Sequence, residues 1–188
     1  MDSFYSEAEL KKMNFKHLGI DVKISRKTSI YGISNISIGD HTRIDDFCIL
    51  SGDIILGNYV HIAAYTALFA GKSGIILKDF CGMSSRCVIY AESEDYSGLA
   101  LTNPTIPDKY RKISGEKVIL HKHVIVGTGS TIMPGVEIGE GTSIGSMSLV
   151  TKSLESWGIY VGIPCKKIKD RYKNILSLEA EMINRKVK

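Results

Sequence analysis

The chain has 188 residues, 44% of them hydrophobic, and a formal net charge of +4. That length allows one domain and a short appendage, and no apolar run is long enough to cross a bilayer. The charge comes without stacking, helix-turn-helix or zinc-finger motifs, which argues against a nucleic-acid partner, and Met1 to Glu7 lacks a basic start followed by an apolar stretch, so the expected location is cytoplasmic.

Residues 3–17 open on cap-type residues and then mix apolar and charged positions three to four apart. This predicts a short amphipathic helix within an N-terminal segment, 1–20. Ile24, Ile30 and Ile36 show a faint six-residue step, and a two-residue slip follows. An irregular first coil is therefore expected, as is usual for the terminal repeat of a stack.

From there the step is regular. It runs through Ile38, Ile44, Leu50, Leu56, Ile62 and Leu68, then Leu77, Met83 and Ile89, then Leu120, Val126, Ile132, Ile138, Ile144 and Val150. No α-helix has that period, and a half-buried strand repeats every two residues. A six-residue period marks a chain that turns a corner after each short strand. Three such faces close one coil of a parallel β-helix, about eighteen residues long. The 18 glycines fit frequent corners, which often need positive φ. Three extra residues between Leu68 and Leu77 predict a bulge at 70–74.

The period fails from Tyr90 to Lys117, a stretch holding Pro104, Pro107 and Gly115. A long loop inside a compact repeat array is usually functional. The β-helix is set at 21–155, with the loop at 90–117 protruding from it. The remainder, 156–188, is expected to form a turn at 162–165 and a helix over 166–186, either continuous or broken near Asp170 and Arg171. Trp157 is expected to cap the exposed end of the stack.

The 4 cysteines lack metal-ligand spacing. Cys48, Cys81 and Cys87 each stand two residues before a repeat position, so they are expected to be small buried hydrophobes in a reducing compartment. Basic residues gather late, at Lys152, Lys166, Lys167, Lys169, Arg171 and Lys173. Such a cluster suits an acidic small molecule or a phosphate.

The segment Pro134-Gly135-Val136-Glu137-Ile138-Gly139, the run from Ile144 to Lys152, and Val161-Gly162-Ile163-Pro164-Cys165 with the lysines after it resemble the hexapeptide-repeat acyltransferases. The resemblance covers roughly residues 20–172. It implies a left-handed parallel β-helix, a homotrimer with clefts between subunits, and acetyl-CoA as donor, with no metal. It also implies that Thr128 and Ser146 contact the pantetheine arm, Thr151 and Lys152 lie beside the adenine end, and Lys166 and Lys169 lie near the phosphates. Within the family the chain is similar to the maltose and galactoside acetyltransferase branch. Its Glu94-to-Gly98 and Leu101-to-Pro104 loop is similar to O-acetyltransferases of surface-polysaccharide pathways. The expected reaction is O-acetylation of a sugar. N-acetylation of a nucleotide-linked amino sugar is the alternative, and a metal-dependent or non-catalytic β-helix a lesser one.

Transfer to a hydroxyl needs a general base and an oxyanion donor. The sugar-acetylating branch carries a His at the start of the long loop, where this chain has Glu94. Three readings stay open: His61 as base; Glu94 or Asp95 as base, with a carboxyl pKa raised in the cleft; or no dedicated base. In the first, Asp95 orients His61. Tyr90, Tyr96, Asn103 and Arg111 are candidates to line the acceptor pocket. His121 and His123, two apart, are placed on one face; with His61 they would make the zinc site of the lesser reading. His17 and His41 are expected to face solvent.

Overall fold

In the computed structural model, which describes residues 3–186, the six-residue step becomes three flat faces of stacked parallel strands. The first face aligns Leu18, Ile38, Leu56, Leu77, Leu120 and Ile138. The second aligns Ile24, Ile44, Ile62, Met83, Val126, Ile144 and Tyr160. The third aligns Ile30, Leu50, Leu68, Ile89, Ile132 and Val150. All of these except Leu18 and Ile30, in the opening coil, are buried. Each fully buried aliphatic side chain contributes about 1.5–3 kcal/mol, and only because a coil lies above or below it.

Corners close by two devices. Buried hydroxyls donate to carbonyls of the next coil: Thr42 to Gly57 at 2.9 Å, Thr66 to Ser84 at 3.0 Å, Ser130 to Gly145 at 3.1 Å. The second device is a left-handed residue: glycine fills it at Gly129 and Gly141, as expected, but larger residues fill most of these corners. His41, Phe47, Tyr59, Tyr65, Phe80, Arg86, His123, Met147 and Trp157 all have φ between 57° and 65°. Such a conformation costs of order 1–3 kcal/mol. Ring stacking, roughly 0.5–1.5 kcal/mol per pair, offsets part of it. On the edge after the first face the stack runs His41–Tyr59–Phe80–His123, with centroids 4.7, 4.9 and 5.1 Å apart. On the edge after the second face, Phe47 stacks on Tyr65 at 5.0 Å.

The bulge at 70–74 is present. The strand Ala67–Leu77 pairs with Ile49–Leu56, and the register shifts around Gly52. The loop leaves the stack as a short antiparallel pair, Glu92–Ser93 against Ser114–Gly115.

Two helix expectations are corrected. The N-terminal helix α1 covers only Glu7–Lys11, started by a Ser6–Glu9 capping box. Its flanks join the stack instead: Phe4 bridges Ser25, and His17–Leu18 pairs with Ser37 and Ile38. Past the last coil, Cys165–Asp170 is not helical; it pairs antiparallel with Gly158–Gly162. That hairpin covers an otherwise open strand edge. The C-terminal helix, α2, spans Asn174–Lys186.

Candidate active site

The edge after the second face carries several of the residues expected to hold the cofactor. Five successive coils turn there at Asp46-Phe47, Ala64-Tyr65, Ser85-Arg86, Thr128-Gly129 and Ser146-Met147. From the second of these corners on, the left-handed N–H donates to the carbonyl of the preceding coil: Tyr65 to Asp46 and Arg86 to Ala64 at 3.1 Å, Gly129 to Ser85 at 3.1 Å, Met147 to Thr128 at 2.8 Å. Thr128 Oγ1 also donates to Ser85 O at 2.5 Å. Thr128 and Ser146 are thus neighbours on one edge. The coils approach so closely that a Cβ on Gly127 would lie 2.4 Å from Ser146 N.

Register brings Lys166 to this edge and leaves Lys169 at the start of the second face. Lys166 pairs with Val161 and Lys169 with Ile159, because the ladder shifts between Ile159 and Tyr160. Val161 and Ile159 lie two apart and point the same way. The shift therefore puts Lys166 and Lys169 on one outer side although they are three apart in sequence. Both are exposed, whereas Lys167 pairs with Asp170 at 2.8 Å. Thr151 and Lys152 are exposed too, but they follow the third face and lie on a different edge. A single chain spreads the six candidate cofactor residues over more than one edge.

His61 points outward from the second face, side chain 51% exposed. Its Nε2 donates to Asp45 Oδ2 at 2.9 Å, and Arg43 Nε donates to Asp45 Oδ1 at 2.6 Å. Partial burial pushes the Asp45 carboxyl up, but the hydrogen bonds from Arg43 and then His61 outweigh it and hold it below its ordinary value. With Nε2 donating, Nδ1 of His61 is the nitrogen able to take a proton. Asp95 does not orient His61; Asp45 does.

The loop carboxylates are engaged locally. Glu94 forms an ion pair with Arg111, which also reaches Asp108 at 3.3 Å. Asp95 accepts from Ser97 Oγ at 2.7 Å and from the backbone N–H groups of Ser97, Leu99 and Ala100. These bonds, the Ser97 hydroxyl first, lower its carboxyl to about 2. That is the opposite of the raised value a carboxylate base needs. Glu92, two residues before Glu94, clasps the bulge through the N–H groups of Lys72 and Ser73 at 2.7 and 3.1 Å.

The proposed acceptor residues are dispersed. Tyr90 stacks on Phe69 at 5.2 Å, and Tyr96 is 93% exposed. Asn103, at φ 81°, uses Oδ1 to accept from Thr105, which builds a turn. Arg111 is mostly buried against Glu94.

The histidines expected to share a face do not. His121 pairs with Glu137 at 2.5 Å, while His123 turns a corner, is buried, and pairs with Glu179 of α2 at 2.8 Å. His61, His121 and His123 thus each have a separate carboxylate, and no cluster of three metal-ligating side chains occurs among the described residues. His41 is also not simply solvated: it stacks on Tyr59 and meets Asp21 at 3.0 Å.

Sequence reasoning missed Asp45 and the corner rings. The signal for Asp45 was the coil length: Arg43 pairs laterally with His61, eighteen residues on, so Asp45 lies beside that pair. The rings recur three residues after inward positions, as Phe47 after Ile44, Tyr65 after Ile62 and Phe80 after Leu77.

The bacterial transferase hexapeptide (six repeats) family matches residues 35–69 and 117–152. An Escherichia coli dTDP-4-amino-4,6-dideoxy-D-glucose acyltransferase is 44% identical over 181 residues, 95% of this chain and 94% of that one. The crystal structure of AntD, an N-acyltransferase from Bacillus cereus in complex with dTDP and 3-hydroxybutyryl-CoA, superposes with a TM-score of 0.97 at 53% identity, covering 100% of both chains. WbbJ of Escherichia coli K12, a candidate lipopolysaccharide biosynthesis O-acetyl transferase, is 27% identical over 139 residues, 72% of this chain and 68% of that one. Regular inward steps, stacked parallel faces and these full-length likenesses agree: the chain is a left-handed parallel β-helix and belongs to the hexapeptide-repeat acyltransferases.

Proposed function

We propose that the protein transfers an acyl group from a CoA thioester to the amino group of a dTDP-linked 4-amino-4,6-dideoxy sugar. O-acetylation of a polysaccharide sugar, the first expectation, has only distant support among the relatives, from the WbbJ likeness. The carrying observation is the engagement of the loop carboxylates. Glu94 is tied to Arg111, and Asp95 is held at about 2 by its own turn. A hydroxyl acceptor would find no free base there, whereas a neutral amine is already nucleophilic. The two full-length relatives, one an acyltransferase of such a sugar and the other an N-acyltransferase bound to dTDP and an acyl-CoA, support the same acceptor.

The amine lone pair attacks the thioester carbonyl carbon. The C–N bond forms, the C–S bond breaks, CoA leaves as the thiolate, and the ammonium proton passes to His61 Nδ1. Backbone N–H groups of the edge after the second face hold the pantetheine arm and the oxyanion. Lys166 and Lys169 neutralise the phosphates.

The active assembly in this reading is a cytoplasmic homotrimer. Ile55, Ile76 and Ile119 form an outward apolar stripe in lateral register on the first face, with Ile55 46% exposed. A second subunit would cover such a stripe. It would also bring a neighbour's Thr151 and Lys152 toward the edge that carries Thr128 and Ser146.

The His61–Asp45 pair keeps O-acetylation as a second reading, because it could also activate a hydroxyl. The test is thiol release from acetyl-CoA and 3-hydroxybutyryl-CoA with dTDP-4-amino-4,6-dideoxyglucose, against a panel of sugars bearing hydroxyls only. Release with the amino sugar alone, and an amide in the product mass spectrum, is expected. Turnover of the hydroxyl sugars with none of the amino sugar would reverse the assignment.

A further inference from the structure

On the outer side of the second face, lateral register aligns Arg43, His61, Gly82, Ile125 and Ser143, one per coil. Gly82 stands between the buried Cys81 and Met83, so a side chain there would point outward. Each of the other glycines has a left-handed φ, or an atom within 3.0 Å of the place its Cβ would take. Gly82 has neither. The nearest atom to its Cβ position is Ile125 Cγ1, at 4.0 Å. The fold therefore has room for a side chain at 82 and no backbone need for glycine. A glycine weakens a strand, and it often marks a place where a ligand or another backbone approaches closely. Its absence of side chain leaves a notch in the row. His61, 51% exposed, walls one side, and Ile125, 43% exposed, walls the other.

The geometry points to Gly82 as the residue that sets the size of the acyl group the enzyme accepts, its notch taking the carbons that an acyl group larger than acetyl carries beyond the carbonyl. This rests on the acyl-CoA reading above. Gly82 lies on the strand that feeds the cofactor edge at Ser85, whose carbonyl accepts from Thr128 Oγ1 and from Gly129 N–H. From the strand of Lys166, through those of Ile159, Ser143 and Ile125, to that of Gly82 is four spacings, about 19 Å. An extended phosphopantetheine arm covers that distance and delivers its thioester to this strand. The acyl group is the end of the donor, so it meets the notch. The notch suits a hydrocarbon chain better than a sugar ring. The Gly82 N–H is spent on Val124 O at 2.9 Å, and the wall at Ile125 is apolar. Each methylene laid against that wall gains from leaving water. Any side chain at 82 would fill the same space.

The experiment measures kcat/KM for acetyl-CoA, butyryl-CoA and 3-hydroxybutyryl-CoA, with dTDP-4-amino-4,6-dideoxyglucose as acceptor, for wild type, Gly82→Ala, Gly82→Val and Ile125→Ala. Native mass and the denaturant midpoint, at one protein concentration, are read in parallel. Wild type is expected to use a larger donor as well as acetyl-CoA. The ratio of kcat/KM for that donor to kcat/KM for acetyl-CoA should fall roughly tenfold or more in Gly82→Val, fall less in Gly82→Ala, and not fall in Ile125→Ala. The midpoint should rise in Gly82→Ala, because the unfolded chain loses freedom and nothing in the fold is displaced. An unchanged ratio in Gly82→Val overturns the gate and leaves amide formation intact, as does a wild type that uses acetyl-CoA alone. A lower midpoint or an altered native mass in Gly82→Ala also overturns it, making the glycine a folding requirement or a subunit contact. A wild type that acylates the amino sugar from none of the three donors removes the parent reading and the gate together.

Discussion

Asp45 and His61 stand on successive coils of one face, and the carboxylate of the first holds the imidazole of the second at 2.9 Å. If this pair moves the proton, His61→Ala and Asp45→Ala each lower kcat by about 10²-fold, with the KM for the acyl donor unchanged. The double variant loses little more, because the two act as a unit. Thiol release under saturating acceptor measures this. A pure rise in acceptor KM in both variants would make the pair a binding device. The sign with pH follows from the lowered Asp45 carboxyl. Its contribution to stability is full above the ordinary value of 3.8 and is lost as pH falls through the lower folded value.

Asp95 gathers four hydrogen bonds from its own turn in the loop. Its carboxyl is lowered to about 2 by donors from its own turn. The folded loop is therefore favoured above the ordinary value of 3.8 and loses that support as pH falls from there toward 2. Asp95→Ala should mimic the acid state at neutral pH. Hydrogen exchange at Leu99 and Ala100 is expected to quicken in the variant and, in wild type, only below about pH 4. Unchanged exchange would mean that the loop is held by Glu94–Arg111 alone.

The coil was legible because each inward side chain must be apolar, and that requirement leaves a period in the sequence. The corners were less so. A left-handed position filled by His41, Tyr59 or Phe80 looks like an ordinary surface aromatic until its neighbour one coil away supplies a stacking ring. The hairpin Cys165–Asp170 was misread as helix because its lysines and Ile168 mimic helical spacing, and only the shift opposite Ile159 shows why. At the site, His61, Thr128, Ser146 and the lysines could be marked in the sequence. Asp45 could not be marked without the lateral register. Glu94 and Arg111 could be marked, but their mutual ion pair could not.

Core substitutions should show how the stack shares stability. Leu68 is fully buried in a middle coil, with Leu50 and Ile89 on either side. Leu68→Ala should cost about 2–5 kcal/mol, read from the denaturant midpoint. Tyr160, at the end of the stack, has a coil on one side and the hairpin on the other. Tyr160→Leu keeps the apolar contact and loses the hydroxyl contact to Glu155 N at 3.2 Å. It is expected to cost about 0.5–1.5 kcal/mol. A terminal variant as damaging as the central one would indicate that the stack unfolds from that end.

The four thiols give a direct reading of coil integrity. Burial pushes the Cys48 thiol up to about 11 and the Cys81 thiol up to about 12, and it raises Cys87 as well. Cys165, raised by burial too, is only half-buried beside the last hairpin. At pH 8 a disulfide reagent needs both thiolate and access. Native protein should therefore react slowly and at Cys165 alone, and Cys165→Ser should abolish that reaction. All four thiols should react once guanidinium opens the coils. This ordering also keeps the thiol-release assay clean, since the enzyme's own background is removed by the same substitution. Rapid native reaction of a second thiol would show that a coil opens on the assay timescale, and its identity, by mass spectrometry, would say which one.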